Sequence, residues 1–249
     1  MTPGLIRQAV NGLLSVVLAP SCAGCARPLE IPLRSAVCQT CWDTIRLLRP
    51  PFCGVCGEPL ASWRAPDPGY RCESCVVRRP HIAAGRAIGE YDGSLRAIVH
   101  ALKYQGRRSL AAPLGDLLRL HGASMLAGAD AVVPVPLHWR RQWRRGFNQA
   151  HELARGLGLR VDTVLVRRRS TRSQTGLSAE ARGANVDGAF AIRRRRTVEG
   201  LTMVLVDDVS TTGATLEACA RTLMENGARE VRTLTAARVA TAPLREHRR

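Results

Sequence analysis

A chain of 249 residues has room for one or two domains, and an apolar content of 45% is enough for a globular core. Aromatic residues make up only 4%, so that core must come mostly from Leu, Val, Ala and Ile, and no run of about 18 apolar residues occurs, so no transmembrane helix is expected. The formal charge is +17 and nearly all arginine, since Lys103 is the sole lysine. GC-rich coding explains part of that arginine use; the excess over acids suits phosphate-bearing ligands or a nucleic-acid backbone.

The N-terminal stretch Leu5 to Ala19 places Arg7 ahead of an apolar run, as a short signal peptide would. Ala19-Pro20-Ser21-Cys22 is a poor lipobox, because proline precedes the cleavage position. Leu5, Ile6, Val10, Leu13, Leu14 and Val17 fall at helical spacing, so an amphipathic packing helix over residues 1–20 is preferred.

Nine cysteines follow, and eight form four Cys-x-x-Cys pairs: Cys22/Cys25, Cys38/Cys41, Cys53/Cys56 and Cys72/Cys75. Twelve residues separate the first two pairs and fifteen the last two. That spacing suits two knuckle-and-knuckle zinc ribbons over residues 21–79, with four thiolates arranged tetrahedrally about each structural Zn²⁺. Gly24, Gly54, Gly57, Pro28 and Pro59 fit the tight turns. A disulfide framework and an iron–sulfur cluster compete with this reading. Disulfides seldom come as four such pairs, a cluster needs only one quartet, and the chain is expected in the cytoplasm, where thiols stay reduced. Sequential pairing is the simplest assignment, and interleaved pairing stays open. Two zinc ions would explain how so little core stays folded. A folding role suffices for the ribbons; nucleic-acid or protein binding by them would be additional.

Val76 to Pro80 reads as the link to a second domain over residues 80–240, with a basic tail at 241–249. Arg86 to Tyr91 is a predicted strand and Asp92-Gly93 a turn. Leu95, Ile98, Val99 and Leu102 give a helical face. Ser109 is a candidate cap for a helix through Leu114, Leu117 and Leu118. Lys103 at a helix end either reaches a phosphate or serves as a favourable C-terminal charge. Ala131 to Val135 is a strand, Gln149 to Leu157 a helix and Val161 to Val166 a strand. Residues 167–186 are polar, Arg-rich and weakly periodic, a loop of the length that usually has a function. Ala189 to Ile192 is a short strand, Arg193 to Arg196 a solvated basic turn, and Glu230 to Val239 the last strand. Cys219 reads as a buried structural thiol. None of the six histidines forms a metal or triad set. Strands alternating with helices imply an α/β domain with a mainly parallel sheet.

The most specific string is Met203 to Thr215, MVLVDDVSTTGAT. Met203 to Val206 suits a strand buried on both faces. Asp207 and Asp208 fall at its end, where open α/β sheets bind ligands. Ser210 to Thr215 then supplies consecutive N–H donors, hydroxyls and Gly213, with a helix N-terminus just beyond, which together favour a phosphate monoester. The competing reading is a capped strand-to-helix turn with two solvated aspartates. No Gly-x4-Gly-Lys-Ser/Thr and no Gly-x-Gly-x-x-Gly after a strand is present, which argues against the common nucleotide loops.

This string resembles the phosphoribosyl pyrophosphate (PRPP) signature of type I phosphoribosyltransferases. The resemblance implies that Asp207 and Asp208 take the ribose hydroxyls, and that Ser210, Thr211, Thr212, Gly213, Ala214 and Thr215 take the 5′-phosphate. It also implies a Rossmann-like fold, and a pyrophosphate loop at Val135, Pro136, Leu137 and His138 followed by Arg140, Arg141, Arg144 and Arg145. A closing loop would carry Arg172, Gln174, Arg182 and Asn185. Three more segments extend the likeness: Leu102 to Arg108, Val133 to Gln149, and Gln174, Leu177, Arg182, Asn185 and Phe190. With the cysteine pairs, they are similar to the ComF/GntX family of competence-associated, phosphoribosyltransferase-like proteins, from Pro20 to about Val239.

Two function classes follow. The first is an enzyme that moves phosphoribose from PRPP to an unknown nitrogenous acceptor with Mg²⁺, releasing pyrophosphate. Asp207 and Asp208 would position ribose and metal, and Arg144, Arg145 and Arg182 would offset the leaving charge. The second is a non-catalytic module that handles single-stranded DNA during uptake, or senses PRPP and reports to a competence-machinery protein. Trp139, Trp143 and Phe147 among the arginines would then stack on bases. The acceptor wall is expected to be the zinc module itself.

Overall fold

A computed structural model describes residues 20–29, 35–60, 69–168 and 188–239. The expected N-terminal helix, most of the long loop with Arg172, Gln174, Arg182 and Asn185, and the basic tail lie outside these residues.

Each half of the cysteine-rich module repeats one plan. A Cys-x-x-Cys hairpin comes first. Cys22 N–H donates to the Arg27 carbonyl at 2.8 Å, and Cys53 N–H donates to the Glu58 carbonyl at 2.9 Å. A short helix follows, α1 (Gln39–Asp43) in the first half and α2 (Glu73–Arg78) in the second. Cys38 and Cys72 stand at their N-caps, and Cys41 and Cys75 lie one turn inside. The expected link at Val76 to Pro80 is therefore helical as far as Arg78. Arg79, at φ 45°, ends it in the left-handed region.

The larger module runs β1 (Ala84–Glu90), α3 (Gly93–Tyr104), a 3₁₀ turn (Arg108–Leu110), α4 (Ala111–His121), α5 (Ala123–Leu126) and β2 (Ala131–Pro134). It continues with α6 (Trp139–Arg145), α7 (Gln149–Ala154), β3 (Leu165–Arg167), β4 (Phe190–Ile192), β5 (Thr202–Ser210), α8 (Ala214–Glu225) and β6 (Glu230–Arg238). Four strands pair in the order β1-β6-β5-β2, and every pairing is parallel. The strand–helix alternation predicts this arrangement. β3 and β4 fall in the two segments expected as strands, but they form a separate antiparallel pair of three residues each, and strand periodicity does not reveal which strands pair.

Several expectations need correction. Ser109 caps nothing: it sits inside the 3₁₀ turn, and the N-cap of α4 is Leu110 without a side-chain bond. Asp92 is the N-cap of α3, and Gly93 is its first residue. The strand expected from Val161 begins only at Leu165, because Val161 makes an isolated bridge to Val132. Helix α7 stops at Ala154, short of Leu157. Helix α6 was not expected, since WRRQWRR buries no residue and so shows no apolar period.

The sheet is covered on both faces, which explains the unbroken apolar run of β5. Met203, Val204, Leu205 and Val206 are all fully buried. Val204 and Val206 pack with Leu95, Ile98 and Leu102 of α3, Leu114 and Leu118 of α4, and Leu153 of α7. Met203 and Leu205 pack with Leu216, Cys219 and Leu223 of α8 and with Leu165 and Phe190 of the hairpin. Burying each leucine-sized side chain contributes about 1.5–3 kcal/mol.

The zinc module is built onto this sheet. Leu48 N–H donates to the Ile88 carbonyl and Glu90 N–H to the Arg46 carbonyl, both at 2.9 Å, so the chain between the ribbons covers the open edge of β1. Cys22, Val37 and Cys41 of the first ribbon share the α3 core. Arg107 Nη1 donates to the Ser21 carbonyl at 2.6 Å. On the second ribbon, Gly57 lies so close to β1 that a Cβ there would come within 2.3 Å of the Gly85 carbonyl oxygen.

Candidate functional site

The eight paired cysteines fall into two clusters, Cys22/Cys25/Cys38/Cys41 and Cys53/Cys56/Cys72/Cys75. The pairing is therefore sequential. A Zn–S bond of about 2.3 Å in a tetrahedron requires sulfurs about 3.8 Å apart. Cys25 and Cys38 sulfurs stand 3.8 Å apart, and Cys56 and Cys72 sulfurs 3.7 Å apart. Backbone N–H groups point at the sulfurs: Gly24 and Cys38 donate to Cys22 Sγ at 3.3 and 3.2 Å, and Cys72 donates to Cys53 Sγ at 3.3 Å. Such bonds favour thiolate over thiol. Both clusters fit Zn²⁺.

The second candidate site lies at the C-terminal end of β5. That strand runs four residues beyond Val206, so both aspartates lie within it and Ser210 is its last residue. Alternation sends the two acids to opposite faces of the sheet. Asp208 continues the Val204 and Val206 face and is buried, at 3% exposure. There it meets Lys103 from the last turn of α3, with Nζ 2.7 Å from Oδ1. Burial alone would depress the lysine, but the Asp208 carboxylate, Asp207 and Tyr91 together outweigh it and hold the amine above its usual range. Asp208 Oδ2 and Ser210 Oγ, both buried, have no hydrogen-bond partner among the described residues.

Asp207 continues the opposite face and is partly exposed. Its Oδ1 accepts from Asp208 N–H at 2.8 Å. Burial and the neighbouring Asp208 carboxylate push its pKa up to about 7, against the pull of Lys103. Cys219 of α8 faces the same side, and burial together with Asp207 raises that thiol well above its usual range. It is a buried structural thiol, as expected.

The loop after β5 is shorter than the sequence suggests. It comprises Thr211, Thr212 and Gly213; Ala214 and Thr215 open α8. Thr212 Oγ1 accepts from Ala214 N–H at 3.4 Å. Gly213 stands at φ 75°, a left-handed backbone that favours glycine, and nothing lies within 4 Å of where a Cβ would sit, so the loop is open at this point. Helix α8 spans 12 residues, long enough for a full positive N-terminal end at this loop.

The loop after β2 is differently disposed. Val135 N–H donates to the Val206 carbonyl at 2.9 Å, and the Val135 carbonyl accepts from Asn148 Nδ2 at 3.0 Å. Pro136 has no N–H to offer. His138 is buried and caps α6, accepting from Arg140 N–H at 3.3 Å. Burial and the neighbouring Arg140, Arg167 and Arg141 guanidiniums hold its imidazole below the usual histidine range. Arg145 lies 5.2 Å over the Tyr104 ring, one residue from Lys103, and bonds Gln149. Arg144 is exposed on the outer side of α6.

Three residues gain roles that their local sequence does not signal. Lys103 reaches the acidic pair, which a helix-end lysine does not by itself imply. Arg167 of β3 interacts with Asp207 from the hairpin face, and burial lowers its pKa. Arg238, the last residue of β6, pairs in register with Ser210 and donates to Glu58 and to the Cys56 carbonyl. It thus joins the end of the β5–β6 pair to the second zinc knuckle.

Comparison with known proteins fits this geometry. Residues 143–247 match the phosphoribosyl transferase domain, and residues 13–76 match the double zinc ribbon domain. The DNA utilization protein YhgH of Salmonella typhimurium is 36% identical over 220 residues, covering 84% of this chain and 93% of that protein. Competence protein F of Haemophilus influenzae is 30% identical over 224 residues, again covering 84% and 93%. The chain belongs to the ComF/GntX family. Competence protein ComFC of Bacillus subtilis is a more distant ComF relative, 27% identical over 198 residues, covering 77% of this chain and 79% of that one. Like the fold expected for ComF proteins, this chain carries a parallel phosphoribosyltransferase-type sheet behind a double zinc ribbon. Among the described residues no helix is long and apolar enough to cross a membrane.

Proposed function

We propose that this chain binds PRPP with Mg²⁺ and transfers its phosphoribosyl group to a nitrogenous acceptor, releasing pyrophosphate. The observation that carries this reading is the run of β5 into α8: two carboxylates, then a three-residue loop with an open glycine at a long helix's N-terminus. Backbone N–H groups and the hydroxyls of Thr211 and Thr212 suit the 5′-phosphate. Thr215 lies at the same helix start. The carboxylates of Asp207 and Asp208 suit the ribose hydroxyls.

The acid pair also fits a divalent cation. Asp208 Oδ2 is a buried oxygen without a hydrogen-bond partner among the described residues, and Asp207 is a partly exposed carboxyl with a raised pKa. Bound with the pyrophosphate, Mg²⁺ would offset leaving-group charge. Lys103 and Arg167 supply positive charge on either side of the two acids, and Arg145 stands beyond Tyr104. Arg182 is assigned to leaving-charge stabilisation on its motif alone, and Arg144 on its place in the Arg-rich segment. Val135 anchors the pyrophosphate loop of this reading through its backbone bonds to Val206 of β5 and to Asn148, and Pro136 follows it in that loop. A cytoplasmic location is inferred from the four Cys-x-x-Cys pairs, which need reduced thiols.

Calorimetric titration of PRPP into zinc-loaded protein, with and without Mg²⁺, tests this reading alongside Asp207→Asn/Asp208→Asn. Metal-dependent binding lost in the double variant supports it. Absence of binding to folded wild-type protein overturns it.

One observation favours a second reading, single-stranded DNA handling coupled to a competence protein. Trp139 and Trp143 are 64% and 85% exposed, four residues apart on α6 and interleaved with Arg140, Arg141 and Arg144. That combination suits stacking on bases beside a phosphate backbone. Phe147, expected to join them, is buried at 5% exposure under Arg108, so it belongs to the core.

A further inference from the structure

A cavity of about 850 Å³ lies between the second zinc ribbon and the phosphate loop. Ser210 to Ala214 line one end, and Val55, Cys56 and the start of α2 line the other. Its floor is the stretch of β6 and β1 that α8 leaves uncovered, with Thr233 and Thr235 of β6 and Arg86 of β1. The volume falls in the range of small-molecule sites. It exceeds what a phosphate on the loop alone would fill.

The lining has a particular chemistry. Val55, Ile82 and Leu216 supply apolar walls suited to a flat ring. Thr233 and Thr235 line the cavity as well and are 4% and 2% exposed. Two of the acids in the lining are already engaged, Glu58 by Arg238 and Glu217 by His81. Arg86 is not matched by an acid. Its guanidinium donates to the Gly85 carbonyl at 2.7 Å and lies 4.8 Å over the Phe52 ring, and among the described residues no carboxylate reaches it. Only the thiolates of Cys53 and Cys56 act on it electrostatically, against a larger effect of burial. A half-buried arginine at the base of an apolar-walled cavity is a ready fork for a carboxylate.

We propose that this cavity is the acceptor site and that it takes an aromatic or heteroaromatic carboxylate, with the ring between Val55 and Leu216 and the carboxylate on Arg86. The assignment as acceptor rests on the phosphoribosyl-transfer reading above; the ligand class rests on the cavity itself. The second ribbon is then a wall of the substrate site, and its zinc holds that wall in place.

The test pairs each acid with its uncharged amide: benzoate with benzamide, nicotinate with nicotinamide, and indole-2-carboxylate with indole-2-carboxamide. Binding to the full-length, zinc-loaded chain is followed by ligand-detected NMR, first without PRPP and then with it. The expected result is that at least one acid binds tenfold or more tightly than its amide. Arg86→Gln should abolish that preference, with zinc content and PRPP affinity unchanged. Val55→Trp, which fills the cavity from the ribbon side, should weaken both members of the bound pair. The inference is overturned if no acid outbinds its amide, if the preference survives Arg86→Gln, or if Arg86→Gln releases zinc, which would make Arg86 a counter-charge of the thiolate cluster. Failure of PRPP binding with the acid preference intact would sink the transferase reading and leave the carboxylate site standing.

Discussion

Lys103 Nζ lies 2.7 Å from Asp208 Oδ1, and both side chains are largely buried. The chain's sole lysine thus neutralises one of the two acids at the end of β5. A buried pair of this kind contributes little net stability when intact, but removing one partner strands the other charge. Lys103→Met should therefore destabilise the fold by about 3–5 kcal/mol, while the double variant Lys103→Met/Asp208→Leu should recover much of the loss. Urea denaturation of the four proteins reads the coupling directly. Equal destabilisation in the single and double variants would mean that the pair does not act as a unit.

Asp207 behaves differently because it faces the other side of the sheet. Its pKa rises from 3.8 to about 7. The folded state therefore binds the proton more tightly than the unfolded chain between these values. Stability from this group is fully present below about pH 3.8 and is lost as pH rises through about 7, with a slope of at most about 1.4 kcal/mol per pH unit. Asp207→Asn should flatten that slope and raise stability at pH 7.5 relative to wild type. Denaturation midpoints at pH 5.0, 6.0 and 7.5 check the sign. If Asp207 takes a ribose hydroxyl, as the proposed function has it, the hydroxyl donates best to the ionised acid, so PRPP affinity should increase across the same interval.

Much of this site is written in the order of residues along β5. The apolar run before Asp207 marks a strand covered on both faces, and the glycine after Thr212 marks the open loop. The sequential zinc pairing is equally local, since each quartet is closed by a hairpin and the helix that follows it. What the sequence hides is long-range. Lys103 and Asp208 are 105 positions apart, and nothing near either names the other. Arg238 looks like one more arginine at the end of a strand until the register sets it beside Ser210 and under Glu58. Helix α6 hides for another reason. It buries nothing, so the periodicity that exposes buried faces has nothing to report.

The close fit of the second ribbon to β1 yields a steric prediction. Gly57 has φ 70°, and a Cβ there would meet the Gly85 carbonyl oxygen at 2.3 Å. Gly57→Ala should cost roughly 2 kcal/mol or more, combining left-handed strain with displaced backbone. Gly69→Ala is the control. It also has positive φ, at 91°, but has nothing within 4 Å, so it should cost about 1 kcal/mol. Thermal unfolding of the two variants separates steric contact from backbone strain. Similar losses would show that the ribbon yields to the new methyl group.

Arg238 links the second zinc knuckle to the end of the β5–β6 pair, so metal loss there should be felt at the loop after β5, where the proposed function places the 5′-phosphate. Cys53→Ser should release one of two zinc ions, as measured by metal analysis, and loosen the Glu58–Arg238 contact. Cys22→Ser should also release one, but that ribbon packs against α3, and none of its described residues is bonded to the loop. The expected outcome is a larger loss of PRPP affinity for Cys53→Ser than for Cys22→Ser at matched zinc content. Arg238→Ala with both metals bound should reproduce most of the Cys53→Ser effect, because the connection runs through that guanidinium. Equal affinities in the two cysteine variants would mean that the ribbons only stabilise the chain. An intact affinity in Arg238→Ala would place the coupling in the Gly57–Gly85 contact instead.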